Sequence, residues 1–148
     1  MRVRNFRSLA VVVALAALAA CTDNTSPVTQ LSGGSYSLQT VNGTNVPYTY
    51  TSGSTTITIQ SDIYTLNNDG TYSESISEII SNGFSSSPAS DGESGTWSQN
   101  GNAVVFAPSY STQNNYSQYT GALSGSSTFS HSTLTFSYSG VVWVYAHT

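Results

Sequence analysis

The chain has 148 residues, of which three are basic and seven acidic, and its net charge is −4. All three basic residues, Arg2, Arg4 and Arg7, lie at the start, so residues 21–148 carry seven acids and no Lys or Arg, a net charge of −7. That excludes nucleic-acid binding, whose affinity rests on Lys and Arg against phosphates, and with it phosphate-binding loops, arginine clamps and Schiff-base lysines.

From Leu9 to Ala20 the chain is unbroken apolar sequence of about 12 residues. A membrane-spanning helix needs roughly 20, whereas a short apolar segment behind a basic start reads as a secretory signal. The segment ends in Leu18, Ala19 and Ala20, followed by Cys21, the only cysteine. This order resembles the signal sequence and lipobox of bacterial lipoproteins. The resemblance implies cleavage after Ala20, a diacylglycerol on the Cys21 sulfur and an acylated amine. Each buried CH₂ contributes about 0.8 kcal/mol, and two or more chains anchor a protein stably. Thr22 follows the cysteine and Asp23 comes one later. Aspartate directly after the cysteine is the inner-membrane signal in such lipoproteins, so the resemblance favours the outer membrane. Residues 1–20 are then a signal peptide, 21–33 the lipidated cysteine and a polar tether containing Pro27, and 34–148 a single domain of about 115 residues, enough to bury roughly two thirds of its unfolded surface.

The domain is rich in Ser, Thr, Gly, Asn and Tyr, without sustained apolar spacing at helical period. Alternation with period two predicts about eight strands, near 34–41, 55–66, 70–80, 94–99, 103–107, 116–124, 127–138 and 141–146, with longer loops at 84–93 and 108–115. Tyr36 and Leu38 share one face, as do Ile57 and Ile59, with a bulge expected near Asp62 and Ile63 before Tyr64 and Leu66. In the last strand the inward pair is either Val142 with Val144 or Trp143 with Tyr145. Asn42-Gly43, Asn67-Asn68-Asp69-Gly70, Asn82-Gly83, Asn100-Gly101 and Ser139-Gly140 are turns, since Asn, Asp and Gly tolerate the positive φ of tight hairpins. Short connections favour antiparallel neighbours, and closure into a barrel removes unpaired edges. The expected fold is all-β, a small antiparallel up-and-down barrel, with a β-sandwich as the alternative.

Three stretches, Gly34-Ser35-Tyr36-Ser37-Leu38, Leu66-Asn67-Asn68-Asp69-Gly70-Thr71-Tyr72, and Gly95-Thr96-Trp97-Ser98 with Ala103-Val104-Val105-Phe106, are similar to the lipocalin-like domains of small bacterial lipoproteins. The resemblance implies a barrel with an apolar interior. Tyr36 stands where ligand-carrying lipocalins have Trp, and residues 21–148 hold no Arg to pack on it.

Catalytic chemistry finds little support. His131 lies between two serines, His147 is next to last, and no Gly-x-Ser-x-Gly occurs, so no base is placed beside a nucleophile. Glu74 and Glu78 share a strand face about 13 Å apart, outside the 5–10 Å or so of glycosidase pairs. Asp91 and Glu93 fall in a Ser/Gly-rich loop. With no thiol beyond Cys21 and few imidazoles, no metal or other cofactor is expected. The acidic balance reads first as a solubility device, with cation binding as the functional alternative. Candidate ligand contacts are Tyr110, Tyr116 and Tyr119, set among Ser, Asn and Gln as in adaptable binding loops, together with Trp97 and Trp143. The sequence therefore reads as a non-catalytic, lipid-anchored protein of the cell envelope that binds a small apolar or sugar-like ligand. The alternative is a structural or protein-interaction module with a filled barrel.

Overall fold

Period-two alternation becomes antiparallel strand along nearly the whole domain. A computed structural model describes residues 33–113, 117–124 and 132–148. The expected signal, tether, lipid-bearing Cys21, Tyr116 and His131 lie outside the described residues. The strands are β1 (Gly34–Val41), β2 (Thr44–Asn45), β3 (Tyr48–Ser52), β4 (Thr55–Leu66), β5 (Thr71–Ser81), β6 (Ser86–Asn100), β7 (Ala103–Ser111), β8 (Tyr119–Ser124), β9 (Thr133–Tyr138) and β10 (Val141–His147). No helix occurs among the described residues.

Each strand from β4 to β10 pairs with the next, and β1 closes the ring by pairing with β10 on one side and β4 on the other. The result is a closed eight-stranded, lipocalin-like antiparallel barrel, not a sandwich. β2 and β3 are extra strands that extend β1 and β4. An eight-stranded barrel is just wide enough for its side chains to fill it, and here they fill most of it. Tyr36, Leu38, Val41, Leu66, Tyr72, Val104, Phe106 and Leu134 are buried. Tyr64, Tyr72, Phe106, Tyr119, Phe136 and Tyr145 form one ring cluster with centroids 5.0–6.2 Å apart, the offset and edge-on range that aromatic pairs prefer.

The turns form as their residues demand. Asn42 and Gly43 have φ of 49° and 77°, and Ser139 and Gly140 have 50° and 80°, the paired positive values of two-residue hairpins. In the β4–β5 turn the Asp69 carboxylate accepts from Thr71 N and Oγ1 at 2.9 and 2.6 Å. Trp97 clamps that turn, donating from its backbone N to Gly70 O at 2.8 Å and from Nε1 to Asn67 O at 3.0 Å.

Several boundaries differ from expectation. Residues 86–93, expected as loop, are the first half of β6, which pairs with β5 from Ser86 to Thr96. Backbone pairing to a strong neighbouring strand overrides a Ser-rich, apolar-poor sequence there. The same tertiary support makes β3 a strand and carries β7 on to Ser111. The β4 bulge falls between Ile59 and Ser61 rather than at 62–63. β9 begins at Thr133. In β10, Trp143 and Tyr145 are the inward pair and Val142 is exposed.

Alternating strand direction gives the barrel two ends. The chain enters at Gly33, whose N donates to Asn68 Oδ1 at 2.7 Å, so the entry end carries the β4–β5 and β6–β7 turns. The far end carries the β5–β6 and β7–β8 connections.

Candidate functional site: a carboxylate and tyrosine pocket

On β5, Tyr72, Glu74, Ile76 and Glu78 alternate with Ser73, Ser75 and Ser77. Tyr72 is buried in the barrel, so the period of two turns Glu74 and Glu78 inward with it. Glu93 lies opposite Glu74 on β6, Tyr64 lies opposite it on β4, and Ser111 lies opposite Glu93 on β7. One row across four strands thus reads Tyr64, Glu74, Glu93, Ser111. One step along, Asp62 and Asp91 flank Ile76. The inward side chains of β4 to β7 enclose a pocket of about 190 Å³, bounded by Tyr64, Glu74, Asp91, Glu93 and Tyr119 and reaching Thr112 and Gln113 at the far end.

Three carboxyls in this interior differ in how they are held. Glu93 Oε1 accepts from the Tyr72 hydroxyl at 2.6 Å and from the Tyr119 hydroxyl. Tyr119 in turn shares a hydrogen bond of 3.1 Å with the Tyr64 hydroxyl. Asp91 is braced at the rim, accepting from Thr112 Oγ1 at 3.1 Å and Gln113 Nε2 at 3.0 Å. Asp62 is only 3% exposed. Its Oδ2 accepts from the Tyr145 hydroxyl at 2.6 Å, and its Oδ1 has no hydrogen-bond partner.

No Lys or Arg occurs among the described residues to answer these charges. Burial and neighbouring charges push Asp62, Glu74 and Glu78 toward the neutral form. Burial raises Asp62 to about 7, opposed by the Tyr145 hydrogen bond and assisted by the Glu93 charge. Burial raises Glu74 to about 8, assisted by the Asp62 charge. Glu78 is raised by burial and then by Asp91. The Tyr64, Tyr72, Tyr119 and Tyr145 hydroxyls are pushed up by burial first and the surrounding carboxylates second, so they stay neutral donors.

Of the five aromatic candidates, Tyr119 lines this pocket. Tyr110 points away from the barrel and is 57% exposed. Trp97 packs on the core while closing the β4–β5 turn, and Trp143 packs on the core from β10. His147 lies edge-on to Tyr36 with centroids 5.2 Å apart. The solubility reading of the acids meets a different arrangement: of the six acids among the described residues, Asp69 alone sits on an exposed turn, and the other five face the barrel interior or its far mouth. Asp91 and Glu93 are strand residues, not loop residues. Sequence reasoning missed the cluster because it weighed carboxyl pairs along one strand, while this pairing is across strands.

Compared with protein-family models, curated proteins and solved structures, the chain matches none.

Proposed function

We propose that this protein is a lipid-anchored, non-catalytic barrel of the bacterial cell envelope that binds a small polar ligand in the pocket between β4, β5, β6 and β7. The observation that carries the reading is the pocket itself: a space of about 190 Å³ with carboxyl, hydroxyl and amide groups converging on it, in a barrel otherwise filled by rings. Ligand sites combine a concave surface with a few placed polar groups, and drug-sized ligands need about 300–1,000 Å³. This one suits a smaller guest. Its polar lining favours a hydroxyl-bearing, sugar-like molecule over an apolar one.

The anchor reading rests on the order Arg2, Arg4, Arg7, apolar segment, Leu18-Ala19-Ala20-Cys21. A tether from Cys21 to Gly33 has an r.m.s. reach of about 20 Å and meets the barrel at the entry end. The pocket rim at Thr112 and Gln113 is at the other end, so tethering leaves the mouth open to the aqueous side. With Thr22 after the cysteine, the outer membrane is the favoured address.

The second reading, an envelope interaction module with a filled barrel, is favoured by the ring cluster of Tyr64, Phe106, Phe136 and Tyr145 that occupies the middle of the barrel. Native mass spectrometry of the protein extracted from its own membranes separates the two. A small-molecule adduct lost on Glu93→Gln supports the ligand reading, and a bare protein mass at neutral pH supports the filled barrel. Cell fractionation of Cys21→Ser tests the anchor. Release from the membrane fraction is expected, and unchanged retention overturns it.

A further inference from the structure

We propose that the guest of this pocket is a small organic cation, an ammonium-bearing molecule, that supplies the positive charge the barrel interior lacks. The inference rests on the ligand-binding reading above and adds the chemical class of the ligand.

Three independent observations converge. First, the acids are placed against their usual preference. Glu74 and Glu93 meet across β5 and β6, and Asp91 stands at the rim, while no Lys or Arg occurs among the described residues. A buried carboxylate is costly unless a cation or hydrogen bonds answer it. Second, Asp62, on the strand beside Glu74 and almost wholly buried, lies outside the pocket wall but adds its acid to the same interior, and its Oδ1 has no donor other than a protonated Glu74. A buried acid with so few donors deepens the deficit of positive charge. Third, Tyr64 and Tyr119 line the same pocket, and their hydroxyls, gathered beside Glu93, add oxygen dipoles to which an ammonium group is drawn. Among the described residues, no three acidic, histidine or cysteine side chains converge as a metal's ligands, which favours an organic ion over an inorganic one. Ser111, Thr112 and Gln113 supply hydroxyl and amide groups for the rest of the guest.

The groups that face Asp62 and Glu74 are Tyr64 from β4, Glu93 and Asp91 from β6, and Tyr145 from β10, all anionic or neutral. An entering cation therefore favours ionisation of both carboxyls, and binding releases protons near neutral pH.

Isothermal titration of the purified lipidated protein in detergent, at about pH 8 where Glu74 changes state, tests this with matched probes: choline against 3,3-dimethyl-1-butanol, and ethanolamine against ethylene glycol. A desolvated ammonium among these carboxyl and hydroxyl oxygens is expected to bind at least about tenfold more tightly than its neutral twin in one of the pairs. Glu93→Gln is expected to erase that preference. Repeating the titration in buffers of different ionisation enthalpy is expected to reveal proton release. Equal binding of charged and neutral twins overturns the cation inference and leaves the small-ligand reading standing. Failure of all four probes at millimolar concentration overturns the cation inference, and the small-ligand reading then stands or falls by the native mass measurement. Binding of sodium or calcium ions with no response to the ammonium probes overturns the organic class.

Discussion

Replacing Asp62 by Asn should make the protein more stable, by an amount that grows as pH rises from about 4 to 7 and then levels off. The native carboxyl holds its proton up to about pH 7, against an ordinary value of 3.8. Between these limits the folded state binds a proton that the unfolded chain has lost, so stability is greatest at acid pH and falls as pH rises. At 1.36 kcal/mol for each pH unit, Asp62 accounts for a loss of about 4 kcal/mol by pH 7. Glu74, raised to about 8, behaves in the same sense, and each charge raises the other. Asn keeps the shape and an oxygen for the Tyr145 hydroxyl, but its amide N–H groups bring a desolvation cost of about 1 kcal/mol. The net expectation at pH 8 is a gain of about 2–3 kcal/mol, or roughly 10 °C in Tm for a domain of this size. At pH 5 only about a third of that loss has accrued, the amide cost offsets most of it, and the variant should melt within a few degrees of wild type. Thermal melts followed by circular dichroism from pH 5 to 9 provide the test. A wild-type Tm that does not fall between pH 5 and 8, or a variant whose advantage is the same at both, refutes the reasoning.

Tyr145→Phe removes the hydroxyl that donates to Asp62 Oδ2; it should cost about 1–3 kcal/mol by urea denaturation, and the Asp62 titration should move to higher pH, because the lost hydrogen bond holds it down. Gly95→Ala puts a methyl group onto the Ala107 carbonyl oxygen at the β6 bulge; backbone cannot yield as a side chain does, and a loss of about 3 kcal/mol is expected in the same assay. Phe106→Ala removes the ring that Tyr64, Tyr72, Tyr119 and Phe136 pack on; a loss of about 3–5 kcal/mol should accompany it. Trp97→Phe forfeits the indole bond to Asn67 O and should cost about 1 kcal/mol, with binding of any pocket ligand unchanged.

The barrel was legible because its turns are written in specific residues. Asn42-Gly43 and Ser139-Gly140 adopt the positive φ they were expected to supply, and Tyr36, Leu38, Leu66 and Phe106 alternate inward as their spacing predicts. β3 and the first half of β6 were not legible. Tyr48 to Ser52 and Ser86 to Asp91 are ordered by pairing with β4 and β5, a tertiary effect that a short polar run does not announce. The pocket was half legible. The run Tyr72-Ser73-Glu74-Ser75-Ile76-Ser77-Glu78 sets large residues on one face and serines on the other. Read by size it turns the two glutamates inward, and read by charge it turns them outward. Charge is the usual guide, since ionised groups rarely face a core. Here size prevails, because the serines make a complete outer face and the interior offers tyrosine donors. That Glu93 would meet Glu74, and Asp62 would reach Tyr145, depends on register and barrel closure, which local sequence does not encode.

The defining feature of this barrel is a set of interior carboxyls with no Lys or Arg beside them among the described residues. Carbon-13 NMR titration of the Asp62 and Glu74 carboxyl groups in the ligand-free protein tests this most directly. Protonation near pH 7 for the first and near pH 8 for the second is the predicted result. Titration of both below pH 5 would mean that these acids are already solvated or compensated, and would contradict it.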